Sequence, residues 1–403
     1  METKKIYSGW WVLAALFVIY AMTNGVILNT LPLFYPKLIA AFGWTQDVVT
    51  RPAQLLFFLV AIFSPLAGNL VDRWPVKGMM LVGGFLLLGG FLLFANVQSV
   101  EGLMGAYVLF SLGITLAGII PSMKIVTNWF GKSRGIAVGI LLVGSSLGGA
   151  LFNPVAGGLI DTYGWRTALL ALGALTAVLI FLPLLFFVRI GPDGVRDGDQ
   201  EKVLASETIQ PVSYAALFGS PVFVQLLLIT AAMWFCIVGI IQHQALFISD
   251  LGTAVSAATV LSTFFIASVL GKVFFGWLSD RYDKKRIMLL AVLNLSLGAL
   301  ILVFIRSNPE TLLWLYALVF GIGFSGTFTM IQLLAAAYYQ GPSYGKILGV
   351  FTMADTLAGV MGILVLGRMR TASGSYDSAF MLLLAIALIT AVLVALLPDK
   401  QRV

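Results

Sequence analysis

Two ionisable side chains stand where an apolar chain least tolerates them, Lys272 and Asp355, each deep in an uncharged, helix-length run. An ionisable group at membrane depth is costly, faces a bundle interior or a water-filled cavity, and marks a route for substrate or protons. Helical rise fixes their level. Lys272 lies eight residues before Asp280, so about 12 Å from that end of its run at ~1.5 Å per residue. Asp355 lies nine residues after Lys346, which places it roughly 13–14 Å in. Opposite charges at one depth can neutralise each other, and an incoming anion would compete for the ammonium.

The elements that position them follow from composition. Sixty per cent of the residues are hydrophobic, 10% are charged and the mean hydropathy is +1.01, against about 25% charged residues in soluble domains. A bilayer core about 30 Å thick takes about 20 apolar residues per helix. Twelve such runs are predicted: 10–30, 50–70, 78–97, 103–124, 135–157, 167–189, 221–247, 257–278, 287–306, 311–334, 346–367 and 377–397. The first is full length and reads as a retained span, not a cleaved signal.

Most charges fall in the short connections. If both termini are cytoplasmic, sixteen Lys and Arg residues lie inside and six outside, with Lys124 and Lys272 completing the 24. Basic residues concentrate on the cytoplasmic side, so the asymmetry predicts that orientation. It also accounts for the net charge of +7 without nucleic acid. The single Cys236 allows no intramolecular disulfide and reads as packing. His243, the only histidine, offers no metal cluster. A hydrogen-bonded structural role and a pH switch are both open for it. No metal or cofactor is expected.

The polar stretch 191–220 separates a first bundle, 1–190, from a second, 221–403. The halves repeat. GNLVDRWPVKG (68–78) recurs as GWLSDRYDKKR (276–286), and GIAVGILLVGSS (135–146) pairs loosely with GKILGVFTMADT (345–356). At these offsets Lys272 corresponds to Ser64 and Asp355 to Ser145, so only the second half carries the charges. Repeated membrane helices point to a transporter with a midplane site. Gly68 and Gly276 would let helices approach closely, while Asp72, Arg73, Asp280 and Arg281 would form a latch that closes the cytoplasmic face. A ring of like charges or a filter loop, as a channel would show, is not visible, and neither is an enzyme's catalytic constellation.

On these motifs the chain resembles the major facilitator superfamily, whose loop between helices 2 and 3 reads like Gly-x-Leu-x-Asp-Arg. More narrowly it resembles the monocarboxylate and oxalate:formate branch, through YSGWWVLAA (7–15), NWFGKSRGIAVGILLVGSSLGG (128–149) and GKVFFGWLSDR (271–281). The resemblance implies an all-α fold of twelve helices in two pseudo-symmetric six-helix bundles, a monomer in the plasma or inner membrane, and a small organic anion as cargo. That branch carries an arginine before VFFG, where this chain has Lys272. Ser268 stands where monocarboxylate carriers often place an acid. Oxalate-exchanging relatives carry a base near position 355; Asp355 there disfavours a dianion.

The expected mechanism is proton symport. A cargo carboxylate would take Lys272 from Asp355, and Asp355, left beside a second anion in a low-dielectric cavity, would take up a proton. A buried pair that only orients helices is the competing reading, and a proton-coupled multidrug or organic-cation exporter is the alternative function. Among the polar groups at membrane depth, Asn29 and Gln332 are preferred as cargo contacts. Asn24, Thr30, Asn153, Gln225, Trp234, Gln242, Ser325 and Thr329 serve equally as interhelical glue. Trp10, Trp11 and Trp44 read as interfacial anchors, and Lys124 as a snorkelling lysine or a vestibule residue.

Overall fold

The computed structural model describes residues 8–130, 134–189, 217–279, 281–338 and 344–398. Among them twelve helices are long and apolar enough to cross a bilayer. In chain order they are α1 (Ser8–Phe42), α2 (Gln46–Arg73), α3 (Val76–Ala95), α4 (Val100–Val126), α5 (Arg134–Tyr163) and α6 (Trp165–Phe186), then α7 (Pro221–Asp250), α8 (Ala257–Ser279), α9 (Lys284–Val303), α10 (Pro309–Tyr338), α11 (Tyr344–Ser373) and α12 (Asp377–Ala395). Their outer surfaces carry large exposed apolar side chains such as Phe85, Leu151, Leu182, Val273 and Ile389. A surface of that kind needs lipid, because backbone polar groups are satisfied inside each helix and nothing on it requires water. The fold is all-α, as predicted, and the protein is a multi-pass membrane protein.

The chain forms two compact units: Met1–Leu31 with Leu59–Thr208, and Pro32–Phe58 with Ile209–Val403. The second differs from the bundle expected over 221–403 by taking in the end of α1 and the head of α2. Polar contacts explain the difference. Tyr35 Oη donates to Gln242 Oε1 at 3.0 Å, and Gln46 Nε2 donates to the Asp250 carboxylate at 3.0 Å. Between these residues Gly43 ends α1 at φ 68°, a left-handed conformation that favours glycine, with its N–H on the Ile39 carbonyl.

α1 is not regular. Ala21–Val26 widens to a π-helical stretch and Leu31–Phe34 tightens to a 3-10 turn around Pro32. Such local defects inside a span are tolerated where neighbouring helices satisfy the freed groups. α4 breaks similarly at Gly118, between Ala117 and Ile119.

The internal repeat has a structural signature at two helix crossings. In the first unit a Cβ on Gly148 would lie 2.5 Å from the Ala21 carbonyl and 2.7 Å from Gly25 Cα, so α5 and α1 meet backbone to backbone. In the second, a Cβ on Gly362 would fall on the Phe235 carbonyl and lie 3.3 Å from Gly239 N, so α11 meets α7 in the same way. The differences 239 − 25 and 362 − 148 are both 214. The structural register of α5 and α11 is therefore one helical turn away from the 135–146/345–356 motif pairing. Asp355 corresponds to Leu141, not Ser145. Gly-rich helices match by composition in several registers, and only the crossing fixes which glycines oppose each other.

Gly362→Ala is expected to destabilise the protein by about 1–3 kcal/mol, because its methyl meets backbone that cannot step aside. Gly68→Ala and Gly276→Ala meet nothing within 4 Å and should leave stability unchanged or slightly raised. Thermal unfolding of the three variants in one detergent checks the contrast; equal midpoints would remove the crossing argument.

Candidate functional site

Both membrane-depth charges lie in the second unit, and the structure joins them through aromatic rings. Lys272 on α8 is half-buried, and its Nζ lies 5.4 Å from the centroid of the Phe328 ring on α10. Phe328 in turn meets Trp234 on α7 edge to face, with centroids 5.8 Å apart. Asp355 on α11, 6% exposed, has the Trp234 indole and the Thr230 hydroxyl as its polar neighbours. Cation, phenyl, indole and carboxyl thus run in sequence across four helices.

Each link has a local cause. Gly271 lets α8 close on α10 beside Lys272: a Cβ there would fall on Ser325 Oγ and lie 2.9 Å from the Ile322 carbonyl. The Lys272 side chain is thereby carried along α10 to the Phe328 face, where the ring quadrupole attracts a cation. Asp355 is set by the Gly239–Gly362 crossing, which holds α11 against α7. Thr230 donates to the Leu227 carbonyl at 3.1 Å, so its one proton is committed within α7. Asp355 Oδ1 and Trp234 Nε1 are both buried, with no hydrogen-bond partner among the described residues. An acceptor and a donor side by side, neither satisfied within normal limits, is costly. It marks a place where a proton or a polar ligand has something to gain.

The expected direct ammonium–carboxyl contact is not what surrounds Asp355; an indole and a hydroxyl stand there. Lys272 adjoins Phe328, Asp355 adjoins Trp234, and the two rings meet each other. Phe328 escaped the sequence reading, although it lies four residues before Gln332 and three after Ser325, on one stripe of α10. Gln332 is half-buried on that stripe, one turn past Phe328. Ser325 and Thr329 turn their hydroxyls to the Ile322 and Ser325 carbonyls, which is helix-internal bonding. Gln225 donates to the Leu393 carbonyl at 2.7 Å.

Asn29 lies in the first unit, and its Nδ2 donates to the Ser145 carbonyl at 3.0 Å, so it ties α1 to α5. Asn24 donates to Thr23 Oγ1 at 3.1 Å within the π-helical stretch. Asn153 is fully buried, with neither amide atom bonded among the described residues. Thr30 Oγ1 is likewise buried without a partner. Lys124 is half-buried in α4. Trp44 stacks on Phe42, and Trp10 and Trp11 are exposed at the start of α1.

The latch residues are only partly described. Asp280 lies outside the described residues, as does the side chain of Asp72. Arg73 is exposed and Arg281 lies 4.2 Å over the Trp277 ring. Gly68 and Gly276, expected to permit close helix approach, face open space within 4 Å of an added Cβ. Neither makes such an approach here.

An apolar bundle that holds a cation and a carboxyl at membrane depth is an arrangement a membrane transporter can use. Comparison with known proteins agrees. The model of the Major Facilitator Superfamily matches residues 12–258 and 243–403, and the chain belongs to that family; it is a secondary transporter. Monocarboxylate transporter 13 of Bos taurus is 26% identical over 92% of this chain and 85% of its own length. Monocarboxylate transporter 11 of Homo sapiens is 26% identical over 93% and 79%. Among solved structures, the nucleoside transporter NupG superposes with a TM-score of 0.77 at 14% identity, covering 97% of this chain and 100% of that one. A bacterial homologue of the lysosomal transporter Spinster, inward-facing and occupied, gives 0.73 at 17%, covering 98% and 97%. These two likenesses speak for the fold alone.

Proposed function

We propose that this protein carries a small monocarboxylate together with a proton, by alternating access, across a cell membrane in which both termini are cytoplasmic and the carrier is a monomer. The observation that carries the reading is the Lys272 ammonium on the face of Phe328, with the under-satisfied Asp355 carboxyl reached through Trp234. A cargo carboxylate takes Lys272 as its counter-ion and lays its apolar body along the two rings. The site then holds one cation and two carboxyl groups, and a proton on Asp355 returns it to neutrality. Full-length similarity to monocarboxylate transporters supports the anion. One cation in the site supports a monoanion over a dianion.

Asn29 and Gln332 are the proposed further cargo contacts. Asn29 keeps its carbonyl oxygen for that role while its amide holds Ser145. The two Gly-x-x-x-Asp-Arg loops, from Gly68 to Arg73 and from Gly276 to Arg281, are the proposed cytoplasmic latch. Open space beside both glycines suits an unlatched state.

A carboxyl walled by indole and phenyl also suits a lipophilic cation through cation–π attraction, as an exporter would require. Proteoliposomes separate the two. Under an inward proton gradient, labelled monocarboxylate is expected to accumulate and to collapse with a protonophore. Gradient-driven movement of a lipophilic cation without carboxylate uptake would replace this reading with the exporter.

A further inference from the structure

A second buried polar system sits around His243 on α7, and the hydrogens in its contacts can be counted. His243 is fully buried. Its Nε2 lies 3.0 Å from the Ile363 carbonyl of α11, and its Nδ1 lies 2.7 Å from Tyr376 Oη, in the connection between α11 and α12. Tyr376 Oη also lies 2.6 Å from Gln46 Oε1, in the first turn of α2. Gln46 Nε2 lies 3.0 Å from each oxygen of Asp250, which Arg370 pairs at 2.6 Å.

Each of these contacts needs one hydrogen, and the donors can be assigned one by one. Asp250, paired with Arg370, takes hydrogen bonds from both neighbours, so the amide end of Gln46 must face it. That fixes the orientation of Gln46 and leaves its carbonyl oxygen toward Tyr376. A carbonyl only accepts, so the single phenolic hydrogen goes to Gln46. Burial and the Asp250 carboxylate push the Tyr376 hydroxyl well above the ordinary tyrosine range, so that hydrogen is present. Tyr376 then has nothing left to donate to His243, and Nδ1 must be the donor of that contact. The Ile363 carbonyl requires Nε2 to donate as well. On this count both ring nitrogens carry hydrogen, as they do in an imidazolium.

We propose that His243 is a proton-binding site, separate from Asp355, whose occupancy ties the docking of the α2 head on α7 and α11 to the uptake of one proton. A neutral ring would need the Tyr376 hydrogen for itself, which sets the oxygens of Tyr376 and Gln46 against each other and loosens α2 at Gln46. Charge on a buried ring is costly unless paired. The groups facing it are Asp47 and Arg51 from α2, Asp250 on its own helix, Arg370 from α11, and Tyr376. Asp47 and the ring approach the same glycine of α11. A Cβ added at Gly367 would lie 3.4 Å from His243 Cε1 and 3.5 Å from Asp47 Cα. Arg51 holds one oxygen of Asp47 and the other is buried without a partner, leaving negative charge beside the ring. Acidification therefore favours the docked arrangement, and loss of the proton releases it. The inference needs no particular cargo.

Because the chain has one histidine, 15N-histidine NMR of the full-length protein in nanodiscs reads this site without assignment. At pH 7 the expected spectrum is that of imidazolium, in the wild type and equally in Asp355→Asn. Gln46→Leu frees the Tyr376 hydrogen for Nδ1, and the ratio of imidazolium to neutral ring should fall at least tenfold. Tyr376→Phe, which leaves Nδ1–H without an acceptor, should lower it as well and serves if Gln46→Leu misfolds. A neutral ring in the wild type, or a ratio unmoved by either variant, overturns the proposal. Those results leave the role of Asp355 in transport untouched, since that role is read by accumulation and not by the imidazole signal.

Discussion

Replacing Lys272 by glutamine should lower monocarboxylate uptake by roughly a hundredfold or more, while thermal stability and reconstitution stay near wild type. The size follows from what the substitution leaves behind. A carboxylate in a half-buried, aromatic-walled site without its counter-ion loses about 2–5 kcal/mol of binding, and each 1.4 kcal/mol is a factor of about ten. Because Lys272 lies over Phe328, a second variant separates charge from ring. Phe328→Leu keeps the ammonium and removes the quadrupole, a loss of about 0.5–2 kcal/mol, so uptake should fall several-fold and no further. Lys272→Arg retains charge but broadens it into a planar fork. It should keep most uptake while changing the order of preference among carboxylates of different width. Counterflow of a labelled monocarboxylate in proteoliposomes reads all three. Wild-type counterflow in Lys272→Gln would end the assignment of this residue to cargo.

The parts of this site that could be read in advance were those carried by residue type and count. A lysine and an aspartate inside apolar runs announce themselves, and a rise of ~1.5 Å per residue brings them to one level. What stands between them does not announce itself. Trp234 could be named for its indole N–H, but Phe328 is one of many aromatic residues, and in a membrane chain an aromatic that lines a site has the same local pattern as one that faces lipid. Only the approach of α8 to α10 at Gly271 reveals which ring the lysine reaches. The repeat shows the same limit. In it the motif pairing of α5 with α11 slipped by a turn, because small residues recur along both.

The α2 head and its partners lie at the other extreme. The hydrogen bonds among Gln46, His243, Asp250, Arg370 and Tyr376 each join residues more than a hundred positions apart. A lone histidine in a span therefore looked more like glue than like a switch. The choice between those roles rests on counting hydrogens around Tyr376 and Gln46, an operation that has no meaning until the contacts are known. Asn29 shows the converse. It lies one turn past Gly25, as His243 lies one turn past Gly239, and each side chain reaches a carbonyl of the facing helix. A polar residue at that position of the repeat has a structural use in both units, whatever else it contacts.

Asp355→Asn should separate movement of the cargo from the proton that drives it. The amide keeps the shape of the carboxyl and can still meet Trp234 and Thr230, so Lys272 and the ring surface remain available and exchange of labelled for unlabelled carboxylate should persist within a few-fold of wild type. Accumulation against a gradient should vanish, because the group proposed to take up and release a proton on each crossing is gone. The charge carried per cycle should change with it. On the proposed mechanism an anion and a proton cross together in the wild type, so the membrane potential should have little hold on uptake. In the variant the anion crosses without a proton, and an inside-negative potential should oppose it. The two proteins therefore differ in sign of response: acidifying the outside drives the wild type and not the variant, whereas a valinomycin-set potassium potential retards the variant and not the wild type. Proton-driven accumulation by Asp355→Asn, undiminished, would move the coupling site elsewhere in the molecule, and His243 would be the next residue to test.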